Sequence, residues 1–225
     1  MSKQSIVLIV GFESFNTGLY RQVANLVKTR CPELELQVFS DRDITANPTN
    51  IATALESAQV FFGSLIFDYD QVMWLRDRIQ HIPLRLVFES ALELMSMTQL
   101  GAFAISDKSK GMPKPIKFIL DKLNLGAKGR EEDRIAGYLN FLKTGPQLLQ
   151  FIPIKKVQDL RNWLIVYSYW NAGGLDNVAA LFWTIAEKYL GLKVGEIPPV
   201  LETPDMVLLH PDYQGYFTWP CQCLE

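Results

Sequence analysis

The sequence predicts an α/β protein built on an open, mostly parallel, doubly wound sheet and followed by a mainly α-helical region. Three observations predict it. Runs of strand length are apolar at nearly every position, stretches of helical period separate them, and a Ser/Gly/Lys/Pro-rich break near residue 106 is followed by helical patterns almost alone. A strand that is apolar throughout is buried on both faces, which a parallel sheet covered by crossover helices provides and a one-sided antiparallel sheet does not.

Taken in order, residues 5–10 (SIVLIV) form the first such run, closed by Gly11. The loop 11–17 leads into a helix over 18–28, with Leu19, Val23, Leu26 and Val27 at helical spacing and Asn16 or Thr17 placed to cap it. Residues 35–40 alternate as a second strand. Residues 48–57 read as a helix with Pro48 near its first turn, where a missing N–H costs nothing, and 59–65 as a third strand. A helix over 68–80 carries Val72, Leu75 and Ile79, residues 84–88 make a fourth strand, and Ser90 is placed to cap a helix over 90–97. Repeated β-α-β units of this length specify a doubly wound sheet of flavodoxin or Rossmann type.

Residues 106–115 (SDKSKGMPKP) can continue neither kind of element, so a boundary is expected there: an α/β domain over 1–106 and a mainly helical region over 107–225. Helical patterns cover 116–123, 131–142, 146–151, 157–169 and 175–187, and Asn171-Ala172-Gly173-Gly174 supplies a helix stop with residues suited to left-handed backbone. A short strand is expected at 206–210.

With 22 Lys plus Arg against 24 Asp plus Glu in 225 residues, no global basic excess favours a nucleic-acid partner. The charge is uneven, however. Residues 107–161 hold 12 basic and 6 acidic side chains, a net of +6, which leaves 10 basic and 18 acidic, or −8, elsewhere. Such a segment can steer an acidic partner, and it is also what a solvated helical face looks like; Lys155 and Lys156 are its candidate partner contacts. Three cysteines, Cys31, Cys221 and Cys223, are too few to staple a chain of this length and point to a reducing compartment, cytoplasm or chloroplast stroma. No window approaches the ~18 apolar residues of a transmembrane helix.

The loop GFESFNTG (residues 11–18) falls at the carboxyl end of a central strand, where open α/β sheets bind ligands and where helix N–H groups attract anions. Gly11, Phe12, Glu13, Ser14 and Asn16 are therefore its candidate ligand-binding residues. A tight turn with a helix cap explains the same residues structurally, and neither a dinucleotide nor a P-loop fingerprint is present. Asp68, Asp70 and Glu89 fall near the same edge as Glu13. Carboxylates so gathered could do acid–base work, and a cleft enzyme using Glu13, Asp68 and Glu89 is one reading, but helix capping accounts for Asp68 and Asp70. His81 and His210 stand far apart with no metal-ligand spacing, Cys221-Gln222-Cys223 is a poor site by itself, and no catalytic residue or metal ligand is assigned. Trp163, Tyr167, Tyr169, Trp170, Phe182 and Trp183 crowd the last two helical patterns. Large aromatics at helical spacing build cores, and they also stack on flat macrocycles, which makes Trp170 a further candidate.

Residues 137–190 (GYLNFLKTGPQLLQFIPIKKVQDLRNWLIVYSYWNAGGLDNVAALFWTIAEKYL) and 202–212 (ETPDMVLLHPD) resemble the large, porphyrin-binding H subunit of magnesium chelatase. The related large subunit of cobaltochelatase shares parts of the second stretch. The resemblance rests on the element with Lys143, Gly145, Pro146, Leu148 and Leu149, and on Y-S-Y-W-N-x-G-G-L-x-N from Tyr167 to Asn177. It implies that the chain is the N-terminal region of a protein several times longer, whose proposed catalytic His and Glu residues lie beyond Glu225. It further implies that the complete protein binds protoporphyrin IX and supports Mg²⁺ insertion in chlorophyll synthesis, with ATP hydrolysed by separate AAA+ ATPase subunits and porphyrin brought by an activator protein. This region would then be a docking or gating module, with no cofactor bound in it, beside the remainder of the H subunit. The alternative is a stand-alone short paralogue that binds porphyrin or a chelatase partner and regulates tetrapyrrole flux.

Overall fold

In the computed structural model, which describes residues 3–11, 17–105 and 144–201, the first apolar run becomes β1 (Gln4–Val10) in the interior of a six-stranded sheet. The chain continues through α1 (Thr17–Arg30), β2 (Leu34–Ser40), α2 (Asp41–Ala46), α3 (Pro48–Glu56), β3 (Val60–Ser64), α4 (Tyr69–Ile79), β4 (Leu84–Phe88), α5 (Leu92–Met95), β5 (Gln99–Leu100) and β6 (Phe103–Ala104). A short helical stretch at 144–149 precedes α6 (Lys155–Ala172) and α7 (Gly174–Tyr189). Phe12, Glu13, Ser14, Asn16, the helices expected at 116–123 and 131–142, the strand at 206–210 and the boundary at 106 lie outside the described residues.

The sheet order is β2-β1-β3-β4-β5-β6. β1 pairs in parallel with β2 and β3, β3 pairs in parallel with β4, and the two-residue strands β5 and β6 close the edge antiparallel. This is the mixed, mostly parallel α/β sheet expected. Because successive strand residues face opposite sides, one set of side chains builds each core. Ile6, Leu8, Phe62, Leu86 and Phe88 meet α1, α6 and α7 on one face. Val7, Ile9, Phe61 and Val87 meet Ile44 of α2, Ile51 and Leu55 of α3, and Val72, Leu75 and Ile79 of α4 on the other. The last two helices thus lie in the same layer as α1, against the sheet.

Three local features differ from the expectation. The polar hexapeptide of α2 is a helix because the Ser40 N–H and hydroxyl both donate to the Asp43 carboxylate, 2.8 Å each, a link between N-cap and third residue that fixes its first turn. Ser90 does not cap α5. That helix is a single turn starting at Leu92, while the Ser90 hydroxyl donates to Phe88 O at 2.9 Å and accepts from the Ile66 N–H at 3.2 Å, stitching the ends of β3 and β4 together. The β5–β6 hairpin was not expected at all. Arg85 holds its start, donating to Met97 O at 2.8 Å and to Gln99 Oε1 at 2.6 Å, and Asp159 of α6 holds its turn by accepting the Ala102 N–H at 2.7 Å.

Gly173 and Gly174 adopt φ of 65° and 79°, as the helix stop requires, and turn α6 back into α7. Beyond α7 the segment 191–201 has neither helix nor strand, yet side chains from three helices grip its backbone. Arg30 donates to Val194 O at 2.6 Å and to Glu196 O, with its guanidinium 4.2 Å from the Trp183 ring centroid. The Tyr169 hydroxyl donates to Pro198 O at 2.6 Å, and burial pushes that phenol's pKa up. Asn177 exchanges two hydrogen bonds of 2.9 Å with the Leu201 backbone. Tyr169 and Asn177 belong to the Y-S-Y-W-N-x-G-G-L-x-N element, so part of its idiosyncrasy is the geometry of this clamp.

Candidate functional site

In a doubly wound sheet the crevice for ligands opens at the carboxyl ends of strands where the winding reverses, here between β1 and β3. A cavity of about 220 Å³ sits beside that point, lined by Tyr20 of α1, Leu65 after β3, Glu89 after β4, and Trp170, Asn171 and Gly174 at the α6–α7 turn. Leu65 and Glu89 each follow their strand directly, and each has left-handed backbone, with φ of 57° and 46°. Non-glycine residues avoid that region, and two of them at equivalent places in neighbouring loops mark a rim whose shape the fold imposes at some cost.

Trp170 is half-buried and does two things. Its ring stacks on Tyr20 at 5.8 Å between centroids with an interplanar angle of 9°, and it tilts against Phe62 at 4.7 Å. It also lines the cavity. Trp163, Tyr167 and Phe182 extend the same aromatic cluster across Phe62 and Phe88, so the crowded aromatics are mainly core. Glu89 stands exposed at the mouth and accepts one long hydrogen bond, 3.4 Å, from the Tyr167 hydroxyl.

The structure separates the remaining candidates. Gly11 is buried, donates its N–H to Ser64 O at 2.8 Å and passes so close to β3 that a β-carbon would collide with the Leu65 carbonyl; this close approach is what requires glycine. Asp68 caps α4, accepting from the Gln71 N–H at 3.0 Å, and Asp70 lies in the same first turn. Lys155 and Lys156 start α6 whereas Trp170 ends it, so about 22 Å of helix at ~1.5 Å per residue separates the lysines from the cavity. Ring nitrogen Nε2 of His81 meets Leu55 O at 3.1 Å, a packing role. Burial and neighbouring Glu33 push the Cys31 thiol up, which keeps it protonated and unreactive. Among the described residues no group of three His, Cys, Asp or Glu is placed to hold a metal, and no helix is long and apolar enough to cross a membrane. Sequence reasoning singled out Glu89 and Trp170 but missed Tyr20, Leu65 and Asn171, whose one signal was their place at element ends on the carboxyl edge.

Sheet order and edge define the class: a doubly wound α/β module whose crevice is walled by a helical hairpin. The chain belongs to the family described as "Domain of unknown function (DUF3479)", which matches residues 5–164. It is 32% identical over 218 residues to the magnesium-chelatase H subunit of Chlorobaculum parvum, covering 96% of this chain and 16% of that protein. It is 30% identical over 231 residues to the chloroplastic magnesium-chelatase ChlH subunit of Oryza sativa subsp. indica, covering 95% and 16%. With the magnesium-chelatase H subunit of Rhodobacter capsulatus the identity is 22% over 225 residues, covering 94% and 18%. The chain therefore spans about a sixth of the length of these curated relatives, and the part it resembles is the N-terminal region of the H subunit.

Proposed function

We propose that this chain is the docking module at the front of a magnesium-chelatase H subunit. The whole protein would bind protoporphyrin IX and support ATP-dependent Mg²⁺ insertion, in bacterial cytoplasm or chloroplast stroma. Its partners would be AAA+ ATPase subunits and a porphyrin-carrying activator protein. The observation that carries this reading is similarity along 94–96% of the chain to H subunits of both bacterial and plant origin. Among the described residues, the cavity of about 220 Å³ beside Trp170 is smaller than the ~300–1,000 Å³ of sites that engulf drug-sized ligands, which supports docking over porphyrin binding at that point. The candidate contacts for docking are those the sequence singles out, Gly11, Phe12, Glu13, Ser14 and Asn16, together with Lys155 and Lys156 at the start of α6.

Competition tests this. Added in excess to reconstituted magnesium chelatase, the chain should occupy the partner's docking surface and lower the rate of Mg²⁺ insertion in proportion to its concentration. A rate indifferent to the chain would remove the docking role. Trp170 gives a second expectation. Trp170→Ala should destabilise the fold by about 3 kcal/mol, since a half-buried tryptophan lies at the low end of such truncations, and leave protoporphyrin IX titrations of the chain unchanged. A variant of undiminished stability that loses a porphyrin-induced absorbance shift would make Trp170 a ligand contact and favour the porphyrin-binding paralogue.

A further inference from the structure

The loops after β3 and β4 run side by side at the carboxyl edge, joined by the Ala91 N–H donating to Ile66 O at 3.0 Å. They leave large apolar side chains in water: Phe67 is 51% exposed, Tyr69 68% and Leu92 78%. Around them stand Asp68, Asp70, Glu89 and Glu93, and neither 66–75 nor 86–105 contains a lysine or arginine. Helix capping and the helix dipole account for acids at the starts of α4 and α5. They do not account for the exposure of Phe67, Tyr69 and Leu92 on two adjoining loops beside those acids, and exposed apolar groups rimmed by polar ones mark interaction sites. The cavity opens on the same edge, with the Glu89 carboxylate at its mouth and the Trp170 indole in its wall.

Building on the docking role above, we infer that this face, Phe67, Tyr69 and Leu92 set among Asp68, Asp70, Glu89 and Glu93, binds a basic, apolar segment of a partner protein, one of whose arginines enters the cavity beside Trp170. The charge selects the occupant. Four carboxylates repel nucleic-acid phosphate and anionic lipid headgroups alike, while a guanidinium can bridge the two oxygens of Glu89 and meet an indole favourably. A space of about 220 Å³ suits one long side chain, and a buried Arg or aromatic anchor within an apolar ring is how interfaces concentrate their binding energy. The acids then set partner choice and association rate, and the apolar side chains set how long the complex lasts.

The competition assay locates the surface. In reconstituted chelatase, the Asp70→Lys/Glu93→Lys variant of the chain should need roughly tenfold more protein for half-inhibition than the unaltered chain, and Leu92→Ala should also weaken it. Potency of the unaltered chain should fall as salt is raised. All three side chains are exposed, so thermal unfolding followed by circular dichroism should show the variants folded. Variants as potent as the unaltered chain overturn the assignment, and loss of potency in Lys155→Glu/Lys156→Glu alone places docking at the opposite edge. An unaltered chain that does not inhibit removes the docking role itself and this surface with it. A concentration-dependent rise in mass, abolished by Asp70→Lys/Glu93→Lys, would make a second copy the occupant and overturn the partner.

Discussion

Phe62→Ala is expected to lower the unfolding free energy by about 3–5 kcal/mol, a large share of the ~5–15 kcal/mol that holds a typical domain together. Phe62 is fully buried in β3, and its ring is the hub of the aromatic core: 5.2 Å from Phe88 on β4, 4.7 Å from Trp170 on α6 and 5.8 Å from Phe182 on α7. Truncation removes a whole ring from a close-packed interior, and the strands around it are too tightly paired to collapse into the space. Its partners belong to the sheet and to the late helices alike, so the loss should be felt in both. Urea unfolding of the variant, followed by far-ultraviolet circular dichroism and by tryptophan fluorescence, should give coincident transitions displaced to lower denaturant. Transitions that separate, with the fluorescence change preceding the loss of secondary structure, would mean that α6 and α7 melt off the sheet as a unit.

Asp159→Ala should cost about as much, roughly 3–5 kcal/mol, by a different mechanism. The Asp159 carboxylate is 4% exposed and accepts two hydrogen bonds, from the Ala102 N–H at 2.7 Å and from the Tyr189 hydroxyl at 2.8 Å, while that hydroxyl oxygen accepts from Asn162 Nδ2 at 3.0 Å. Alanine leaves both donors without the buried carboxylate that accepted from them. Asparagine keeps one acceptor oxygen and should lose less than half as much. Burial, and then the neighbouring carboxylate, push the Tyr189 phenol far above its ordinary value, so it stays a donor at neutral pH. A pKa raised in the folded state contributes stability that is complete below the unfolded value of 10.0 and declines as pH climbs past it, because the unfolded chain can then ionise the phenol and the folded chain cannot. Stability measured across the alkaline range should fall accordingly. An Asp159→Ala protein that melts with the unaltered chain would show that the carboxylate is not what holds the β5–β6 turn.

The parts of the fold legible in the sequence are those whose period is sustained. SIVLIV and the runs around Phe62 and Leu86 have no polar face, which a doubly covered parallel strand explains, and α1 and α4 repeat their apolar side over about three turns or more. What escaped reading is short. β5 and β6 have two residues each, too few for alternation to register, and they exist because Arg85 and the distant Asp159 hold them. α2 has a single buried residue, Ile44, and its one signal was the Ser40 to Asp43 spacing. Ser90 looked like a cap because serine before an apolar stretch usually is one, but here two strand ends came within its reach and took the hydroxyl. At the edge, the residue types of Glu89 and Trp170 drew attention, whereas the left-handed backbone at Leu65 is a consequence of how two loops meet and leaves no mark on composition. Asp159 reads as one more charge on a helix until the fold brings Tyr189 and Ala102 to it.

The clamp on residues 191–201 has a mechanical consequence. Arg30, Tyr169 and Asn177 hold the backbone at Val194, Glu196, Pro198 and Leu201 through side chains rooted in α1, α6 and α7. A chain fastened at successive points along its length cannot swivel about any one of them. Tension or torque applied to the polypeptide beyond Leu201 is therefore shared among three helices, and through them reaches the sheet face that carries Phe62 and the wall of the cavity at Trp170. The anchorage at Tyr169 lies one residue from Trp170, so the clamp and the cavity wall share the last turn of α6.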